Sequence, residues 1–198
     1  MQLNGLPLFK ATLTDENVGM FAVSFVENPA FECKFLAFSK NIDDKAVMRF
    51  SVVSEEEHRV LGVLVRADYP ILRRDGKGKM YYLAFDRETI KEIAERYVLG
   101  GFTSNFDLEH DHDKIVGGVH LTQLFIKDSG KGISPAGFED IEEGSLFGEF
   151  KVHDESVWEQ LKNGTYTGLS LEGVFQVVPE DEPVIETVED LLDYINKQ

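Results

Sequence analysis

The chain has 198 residues, and its 20 Lys and Arg stand against 36 Asp and Glu, which gives a formal net charge of −16. A hydrophobic content of 42% can supply a real core and excludes a wholly disordered chain. The acidic balance argues against a general nucleic-acid binder, because duplex affinity comes mainly from Lys and Arg that neutralise phosphates. With Cys33 as the one cysteine, an intramolecular disulfide and a Cys-based zinc site are excluded.

The first half of the chain is predicted to consist mainly of strands. Apolar runs rich in Phe and Val, separated by turn residues, predict strands at residues 19–26, 33–39, 46–53, 60–65 and 79–85. The period then changes to that of a helix. Asp86 is the expected N-cap, Ile90 and Ile93 begin the buried stripe, and Gly100-Gly101 ends the helix.

The second half alternates between strands and short helices. Strands are predicted at 103–108, 118–126, 146–152 and 167–177, with a helix capped by Asp154 and ended by Asn163-Gly164. A third helix, capped by Thr187, is predicted in the acidic end of the chain. The pattern predicts an α+β fold, an antiparallel β-barrel-like sheet with about three helices packed around it. We expect one domain over residues 1–178 and an acidic C-terminal segment, 179–198, packed on it.

The beginning of the chain predicts its location. Met1-Gln2-Leu3-Asn4-Gly5 lacks the basic and apolar regions of a signal peptide. No apolar stretch approaches the ~20 residues that span a bilayer. We therefore expect a cytoplasmic protein without a membrane partner.

Two of the five histidines lie in a dense acidic cluster at residues 107–113. Neighbouring carboxylates favour the protonated imidazole and orient the ring, so His110 is a candidate general acid–base. The alternative is a solvated acidic turn at the end of a strand. A third interpretation is a metal site, because His110 and His112 would share a face of a strand and His120 or a carboxylate could complete the set.

A second candidate is the serine in the segment 163–173, Asn-Gly-Thr-Tyr-Thr-Gly-Leu-Ser-Leu-Glu-Gly. Gly168 and Gly173 permit another backbone to come close to the strand that carries Ser170. A nucleophilic serine also needs a base within hydrogen-bond reach. The alternative is an ordinary outward-facing serine, and the segment is not a Gly-x-Ser-x-Gly elbow, because Glu172 stands where that motif has its second glycine.

In their order and spacing, several segments resemble the phage prohead (capsid maturation) serine proteases, specifically the XkdF-like branch. The resemblance rests on the segments Val-Ser-Phe-Val-Glu-Asn-Pro-Ala (23–30), Val-Leu-Gly-Val-Leu-Val (60–65), Ile-Leu-Arg-Arg-Asp (71–75), Tyr-Tyr-Leu-Ala-Phe (81–85), Glu-His (109–110) with Val-Gly-Gly-Val (116–119), and Gly-Leu-Ser-Leu-Glu-Gly (168–173). It implies a fold similar to that of the herpesvirus assemblins, with the catalytic serine and histidine on a β-barrel.

The resemblance also assigns roles to residues. It implies that Ser170 is the nucleophile and His110 the general base. The third member stays open: Glu172 is the first choice because residues i and i+2 share a face of a strand. The alternatives are Gln123, at a position where relatives often carry Glu, and the acids Asp111 and Asp113.

The resemblance further implies an endopeptidase without cofactor or metal that works in the bacterial host cytoplasm, inside the viral procapsid. Its expected partners are the scaffold protein and the major capsid protein, with a possible homo-oligomer and no nucleic acid. Related enzymes are held inactive by their own terminal segments, so we expect one terminus, first of all residues 1–16, to cover the Ser170/His110 cleft. The alternative function is a catalytically inactive capsid-associated structural or scaffold-binding protein of the same fold, an interpretation that Gln123 favours.

Overall fold

The computed structural model describes residues 2–14, 19–27, 50–110 and 117–179. Several predictions fall outside these ranges: the strand at 33–39 with Cys33, the side chains of Asp111, His112 and Asp113, and the helix expected after Thr187.

The described residues form twelve strands and two α-helices. In chain order they are β1 (Gln2–Leu3), β2 (Leu6–Thr12), β3 (Gly19–Val26), β4 (Phe50–Ser54), β5 (Arg59–Val65), β6 (Ile71–Arg74), β7 (Met80–Phe85), α1 (Arg87–Leu99), β8 (Phe106–Leu108), β9 (Val119–Ile126), β10 (Leu146–Val152), α2 (Glu155–Lys162), β11 (Gly168–Val174) and β12 (Gln176–Pro179).

The strands are arranged in three sheets. A five-stranded sheet has the order β1-β2-β7-β6, with β12 also pairing with β2, and a four-stranded sheet has the order β4-β5-β10-β9. A three-stranded sheet has the order β11-β3-β8. Most pairs are antiparallel, but β2 runs parallel to β7 and β3 runs parallel to β8.

The predicted fold class is therefore wrong. The fold is mostly β, none of its sheets closes into a barrel, and the described ranges contain two helices instead of about three packed around a sheet. The parallel pairs also contradict a purely antiparallel sheet. Parallel neighbours need long crossover connections, and the alternation of apolar residues along single strands does not encode such connections.

A segment that the sequence pattern predicts as one strand is divided between two sheets. The predicted strand 167–177 breaks at Phe175: β11 before it pairs with β3, and β12 after it pairs with β2. A register shift between Glu172 and Gly173 bends the chain at this point. Because the two halves pair with different partners, the chain changes sheets here instead of extending one barrel wall.

The predicted strand bounds and helix caps agree with the structure better than the predicted fold class does. The bounds predicted for β3 and β10 agree with the structure. The predicted N-caps Asp86 and Asp154 are confirmed, since the Asp86 side chain accepts from the Thr89 N–H and the Asp154 side chain from the Val157 N–H. No helix in the described part of the chain has the length and apolar content needed to cross a bilayer.

The beginning of the chain is part of a sheet. Residues 2–12 form β1 and β2, and β2 is paired with both β7 and β12. The sequence analysis missed β2 because Pro7 and Lys10 interrupt its apolar pattern. The sequence analysis expects residues 1–16 to cover the Ser170/His110 cleft as a removable segment. Strand β2 is instead hydrogen-bonded to a strand on each side.

The three-stranded sheet has an apolar face and a polar face. Side chains of successive strand residues point to opposite faces, so Phe25 and Phe106 share the face opposite to Ser24 and Asp107. Phe25 packs on Phe106 with ring centroids 4.5 Å apart, and Phe106 packs on Phe150 of β10 at 5.2 Å. The apolar face thus joins the main core, and the polar face carries the groups described next.

Candidate active site

Three polar side chains form a row across the three-stranded sheet. Ser170 on β11 lies directly opposite Ser24 on β3, and Ser24 is the register partner of Asp107 on β8. Register partners project from the same face of a sheet. Strand pairing therefore brings together three groups that are far apart in the sequence.

Glu172 extends this row on the same face. It lies two residues beyond Ser170 on β11 and is the register partner of Ala22 on β3, whose small side chain leaves room beside it. The strand bulges immediately after Glu172. The carboxyl group is largely buried, with 13% of the side chain exposed.

His110 reaches the row from the turn that follows β8. Both Glu109 and His110 have positive φ, 57° and 56°, in the left-handed region that costs a non-glycine residue about 1–3 kcal/mol. Two bonds hold the turn in place: the Glu109 N–H donates to the carbonyl of Phe25 at 3.1 Å, and the Glu109 carboxylate accepts from the Glu27 N–H at 2.6 Å. The turn thus directs the imidazole back over the sheet.

Ser170, His110 and Glu172 form a continuous hydrogen-bonded chain. His110 Nε2 lies 3.0 Å from Ser170 Oγ, and His110 Nδ1 lies 2.7 Å from Glu172 Oε1. With the imidazole proton on Nδ1, that nitrogen donates to Glu172, and Nε2 is free to accept from the serine hydroxyl. This is the geometry that a serine nucleophile, its general base and an orienting acid require.

Ser24 and Asp107 lie beside this hydrogen-bonded chain, at the end formed by His110 Nδ1 and Glu172. The Ser24 hydroxyl donates to Asp107 Oδ1 and lies 3.2 Å from Glu172 Oε1 and 3.1 Å from His110 Nδ1. Carboxyl oxygens of Asp107 and Glu172 also lie within 4.8 Å of each other. Ser24 is fully buried and Asp107 is 3% exposed, whereas the His110 side chain is 27% exposed. His110 is therefore the most exposed of these side chains, since Ser170 is 9% exposed.

The two acids have opposite electrostatic environments. Burial raises the pKa of Asp107, and the neighbouring Glu172 raises it further, against the lowering effect of the Ser24 hydrogen bond. Burial also acts to raise the pKa of Glu172, but hydrogen bonds with His110 and Asp107 outweigh it, so the pKa of this carboxyl group lies below its ordinary value. Glu172 is thus favoured as the anion beside His110.

The structure separates Gln123, one of the other candidates for the third member, from His110. Gln123 lies on β9 in the four-stranded sheet, where its Nε2 donates to Glu149 Oε2 at 3.1 Å. Asp111 and Asp113 lie outside the described residues. The argument from Gln123 for an inactive protein therefore weakens, because an acid does lie against His110.

One alternative interpretation of the sequence is a metal site built on His110 and His112 with His120 or a carboxylate. His112 lies outside the described residues, and His120 Nδ1 lies 3.4 Å from Ser104 Oγ. Asp107, His110 and Glu172 do place one nitrogen or oxygen each within 4.8 Å of one another. Because both ring nitrogens of His110 already have partners in Ser170 and Glu172, we interpret this group as a hydrogen-bonded chain.

Sequence reasoning missed the part played by Ser24 and treated Asp107 only as one carboxylate of a cluster. A signal for both was present in the pattern. Each is a single polar residue between apolar neighbours in a strand, Val-Ser-Phe at 23–25 and Phe-Asp-Leu at 106–108. Polar groups in such positions are buried only when they are hydrogen-bonded.

A protein-family model described as "Putative phage serine protease XkdF" matches residues 46–179, which are 134 of the 198 residues. The chain belongs to this family. The match confirms the resemblance drawn from the sequence. No curated protein and no solved structure matches the chain.

Most of the site lies inside the region that the XkdF family model matches. Asp107, His110, Ser170 and Glu172 fall within residues 46–179, and Ser24 precedes them. The family description specifies a serine protease of phage but no catalytic residues. The roles of the individual side chains are therefore argued from geometry.

Proposed function

We propose that this XkdF-family protein is a serine endopeptidase in which Ser170 is the nucleophile, His110 the general base and Glu172 the orienting acid. The observation that carries the proposal is the unbroken chain from Ser170 Oγ through the His110 imidazole to Glu172 Oε1, with contacts of 3.0 and 2.7 Å. Membership of a family of phage serine proteases supports it independently.

The proposed reaction follows the direction of these contacts. Ser170 Oγ attacks the carbonyl carbon of the scissile peptide bond, and its proton passes to His110 Nε2. His110 then returns the proton to the leaving amine, which frees the C-terminal product, and water hydrolyses the acyl-enzyme. Glu172 keeps the imidazole proton on Nδ1 and stabilises the imidazolium while it exists. Backbone N–H donors would have to hold the oxyanion.

We further propose that the enzyme acts in capsid maturation. Its substrates would be the scaffold protein and the major capsid protein of the procapsid, inside the bacterial host. The family's viral origin supports this role. Self-cleavage near a terminus would control it, and because β2 is held in a sheet, the segment after Pro179 becomes the first candidate for removal.

Labelling by a fluorophosphonate tests the chemistry without knowledge of the cleavage site. Attack of Ser170 Oγ on phosphorus would expel fluoride and leave a stable adduct. We expect intact-mass analysis to show one adduct per chain, peptide mapping to place it on Ser170, and Ser170→Ala to remain unlabelled. Ser156→Ala, on the exposed start of α2, is the matched control and should label like the wild type.

A second assay tests the biological role. The purified protein is incubated with the scaffold protein encoded by the same virus, and the products are identified by mass spectrometry. We expect cleavage at defined positions by the wild type and none by Ser170→Ala. Labelling of Ser170 without cleavage of scaffold would uphold the hydrolase chemistry and refute the assigned substrate, whereas a wild-type protein that takes up no label would refute the catalytic assignment.

A further inference from the structure

The neighbourhood of Glu172 contains a second carboxyl group with no role in the reaction just described. Asp107 is almost fully buried, has a carboxyl oxygen within 4.8 Å of a carboxyl oxygen of Glu172, and accepts the hydroxyl proton of Ser24. Its burial and its position behind the orienting acid need an explanation.

The number of protons available in this group limits the protonation state that Asp107 can have. For His110 Nε2 to accept from Ser170, the ring proton is on Nδ1 and is donated to Glu172 Oε1. Ser24 has a single proton, and it goes to Asp107 Oδ1, the nearest of its three neighbours. Two ionised carboxylates with oxygens within 4.8 Å of each other would repel, so a favourable contact between Asp107 and Glu172 needs one proton of its own.

The surroundings decide which acid carries that proton. Glu172 receives the Nδ1–H of His110, which stabilises its anion. Asp107 is the more buried of the two, with 3% of the residue exposed, and desolvation favours its neutral form. The groups that face Asp107 are Ser24 from β3, Glu172 from β11 and His110 from the turn after β8. In this arrangement Ser170 donates to His110, His110 and Asp107 donate to Glu172, and Ser24 donates to Asp107, so that each donor proton is used once.

We propose that Asp107 is a positioning residue that acts as the neutral acid, donating a hydrogen bond to the Glu172 carboxylate and, together with Ser24, holding that carboxylate against His110. The proposal rests on the proposed function of Ser170, His110 and Glu172. Asp107 would act on the reaction only through the placement of Glu172. Ionisation of Asp107 would place a second negative charge beside Glu172 and disturb the chain.

Variants at residue 107 show whether Asp107 acts as a hydrogen-bond donor or as a negative charge. Asp107→Asn keeps an N–H donor for Glu172 and a carbonyl acceptor for Ser24, so we expect its rate of fluorophosphonate labelling to stay within about tenfold of the wild type. Asp107→Leu keeps the approximate volume but neither bond. A misplaced catalytic group costs roughly 10²-fold, and we expect a loss of that order.

If Asp107 had a purely structural role, its substitution would not change the pH dependence of the labelling rate. This dependence is therefore a second test. The wild-type rate should fall as the pH rises through the elevated pKa of Asp107, and this basic limb should be absent in Asp107→Asn. Because the Ser24 hydrogen bond lowers the pKa of Asp107, Ser24→Ala should move the limb to higher pH. Asp75→Asn, in an exposed turn where the side chain accepts two backbone N–H groups, is the matched control and should keep the wild-type profile.

Infrared difference spectroscopy tests whether Asp107 carries a proton, and the measurement does not depend on the activity of the protein. At neutral pH, the wild type minus Asp107→Asn spectrum should contain the carbonyl band of a protonated carboxylic acid, and the wild type minus Asp75→Asn spectrum should not. Absence of that band, or labelling of Asp107→Asn as slow as that of Asp107→Leu, would overturn the proposal. A wild-type protein inert to the fluorophosphonate would instead refute the proposed function, and the band would still show whether Asp107 carries the proton.

Discussion

Two buried glutamates, one in each of two sheets, differ in the groups that surround them, and the difference separates a structural acid from the proposed orienting acid. Glu149 on β10 of the four-stranded sheet and Glu172 on β11 of the three-stranded sheet are similarly enclosed, with 10% and 13% of their side chains exposed. Both accept several hydrogen bonds. They differ in the chemistry of the groups that donate those bonds.

The donors of Glu149 keep their protons under all ordinary conditions. They are the Arg59 guanidinium at 2.8 Å, the Thr122 hydroxyl at 2.9 Å and the Gln123 amide at 3.1 Å. Glu172 instead faces the His110 imidazole, a group that can take up and release a proton. A carboxylate beside a permanent cation is fixed in one state, whereas a carboxylate beside an imidazole can support the transfer of a proton.

The largest effect is expected from the two residues that exchange the proton. Ser170→Ala should abolish labelling and cleavage, and His110→Ala should lower both by about 10²–10⁴-fold, the usual contribution of a general base. The double variant should be no worse than Ser170→Ala, because residues that act as one unit are not additive. Rates come from quenched time courses with intact-mass detection.

Folding of these variants must be shown separately. Circular dichroism and urea unfolding should match those of the wild type, since Ser170→Ala removes a single hydroxyl group and 27% of the His110 side chain is exposed. Undiminished cleavage of scaffold by purified Ser170→Ala would contradict the assignment of the nucleophile.

The comparison of the two acids gives the next largest effect, and it predicts opposite outcomes. Glu172→Gln should lower the labelling rate by at least about tenfold, because the neutral amide no longer stabilises the imidazolium. Glu149→Gln should leave that rate unchanged. It should instead lower the free energy of unfolding by about 1–3 kcal/mol, because Arg59 loses its buried charged acceptor.

The pH dependence of stability should also separate Glu172 from its glutamine variant. The pKa of Glu172 is lowered in the folded protein, so its contribution to stability is present above the ordinary glutamate pKa and is lost as the pH falls through the folded value. Glu172→Gln should remove this part of the acid dependence, as measured by urea midpoints between neutral and acid pH. Equal acid dependence in the two proteins would show that Glu172 gains no stability as an anion.

The sequence predicted Ser170, His110 and Glu172 as one group but not the contacts of Ser24 and Asp107 that lie beside it. Ser170 and Glu172 could be placed on one face because strand periodicity is local, and the caps at Asp86 and Asp154 could be read for the same reason. The contact of Ser24 with Asp107 depends on a parallel pairing between β3 and β8, which are 80 residues apart. Periodicity within a strand does not specify its neighbour, and this is also why the barrel prediction failed.

A moderate effect is expected from Gly173, which lies between the reactive acid and the bend that leads to the next sheet. A Cβ at this position would lie 2.8 Å from the Gly19 carbonyl oxygen and 2.4 Å from the Phe175 ring. Because backbone cannot move aside as a flexible side chain can, Gly173→Ala should cost about 1–3 kcal/mol of stability. It should also slow labelling by displacing Glu172.

The matched control for this variant is Gly76→Ala, where an added Cβ meets nothing within 4 Å and where stability and labelling should stay near those of the wild type. Urea unfolding and the labelling assay are measured on the same preparations. Gly173→Ala with full stability and a normal rate would show that the close approach of β11 and β3 does not fix Glu172.

The smallest effect is expected far from both acids, at the start of α1. The Asp86 side chain accepts from the Thr89 N–H at 2.8 Å, and loss of such a cap costs about 1 kcal/mol. Asp86→Ala should therefore lower the urea midpoint and leave the labelling rate of the folded protein unchanged, while Asp86→Asn, which still caps, should change neither. This pair measures how far labelling responds to lost stability alone. If Asp86→Ala slowed labelling as much as Glu172→Gln does, the slower rate of Glu172→Gln could no longer be attributed to the chain that joins Glu172, His110 and Ser170.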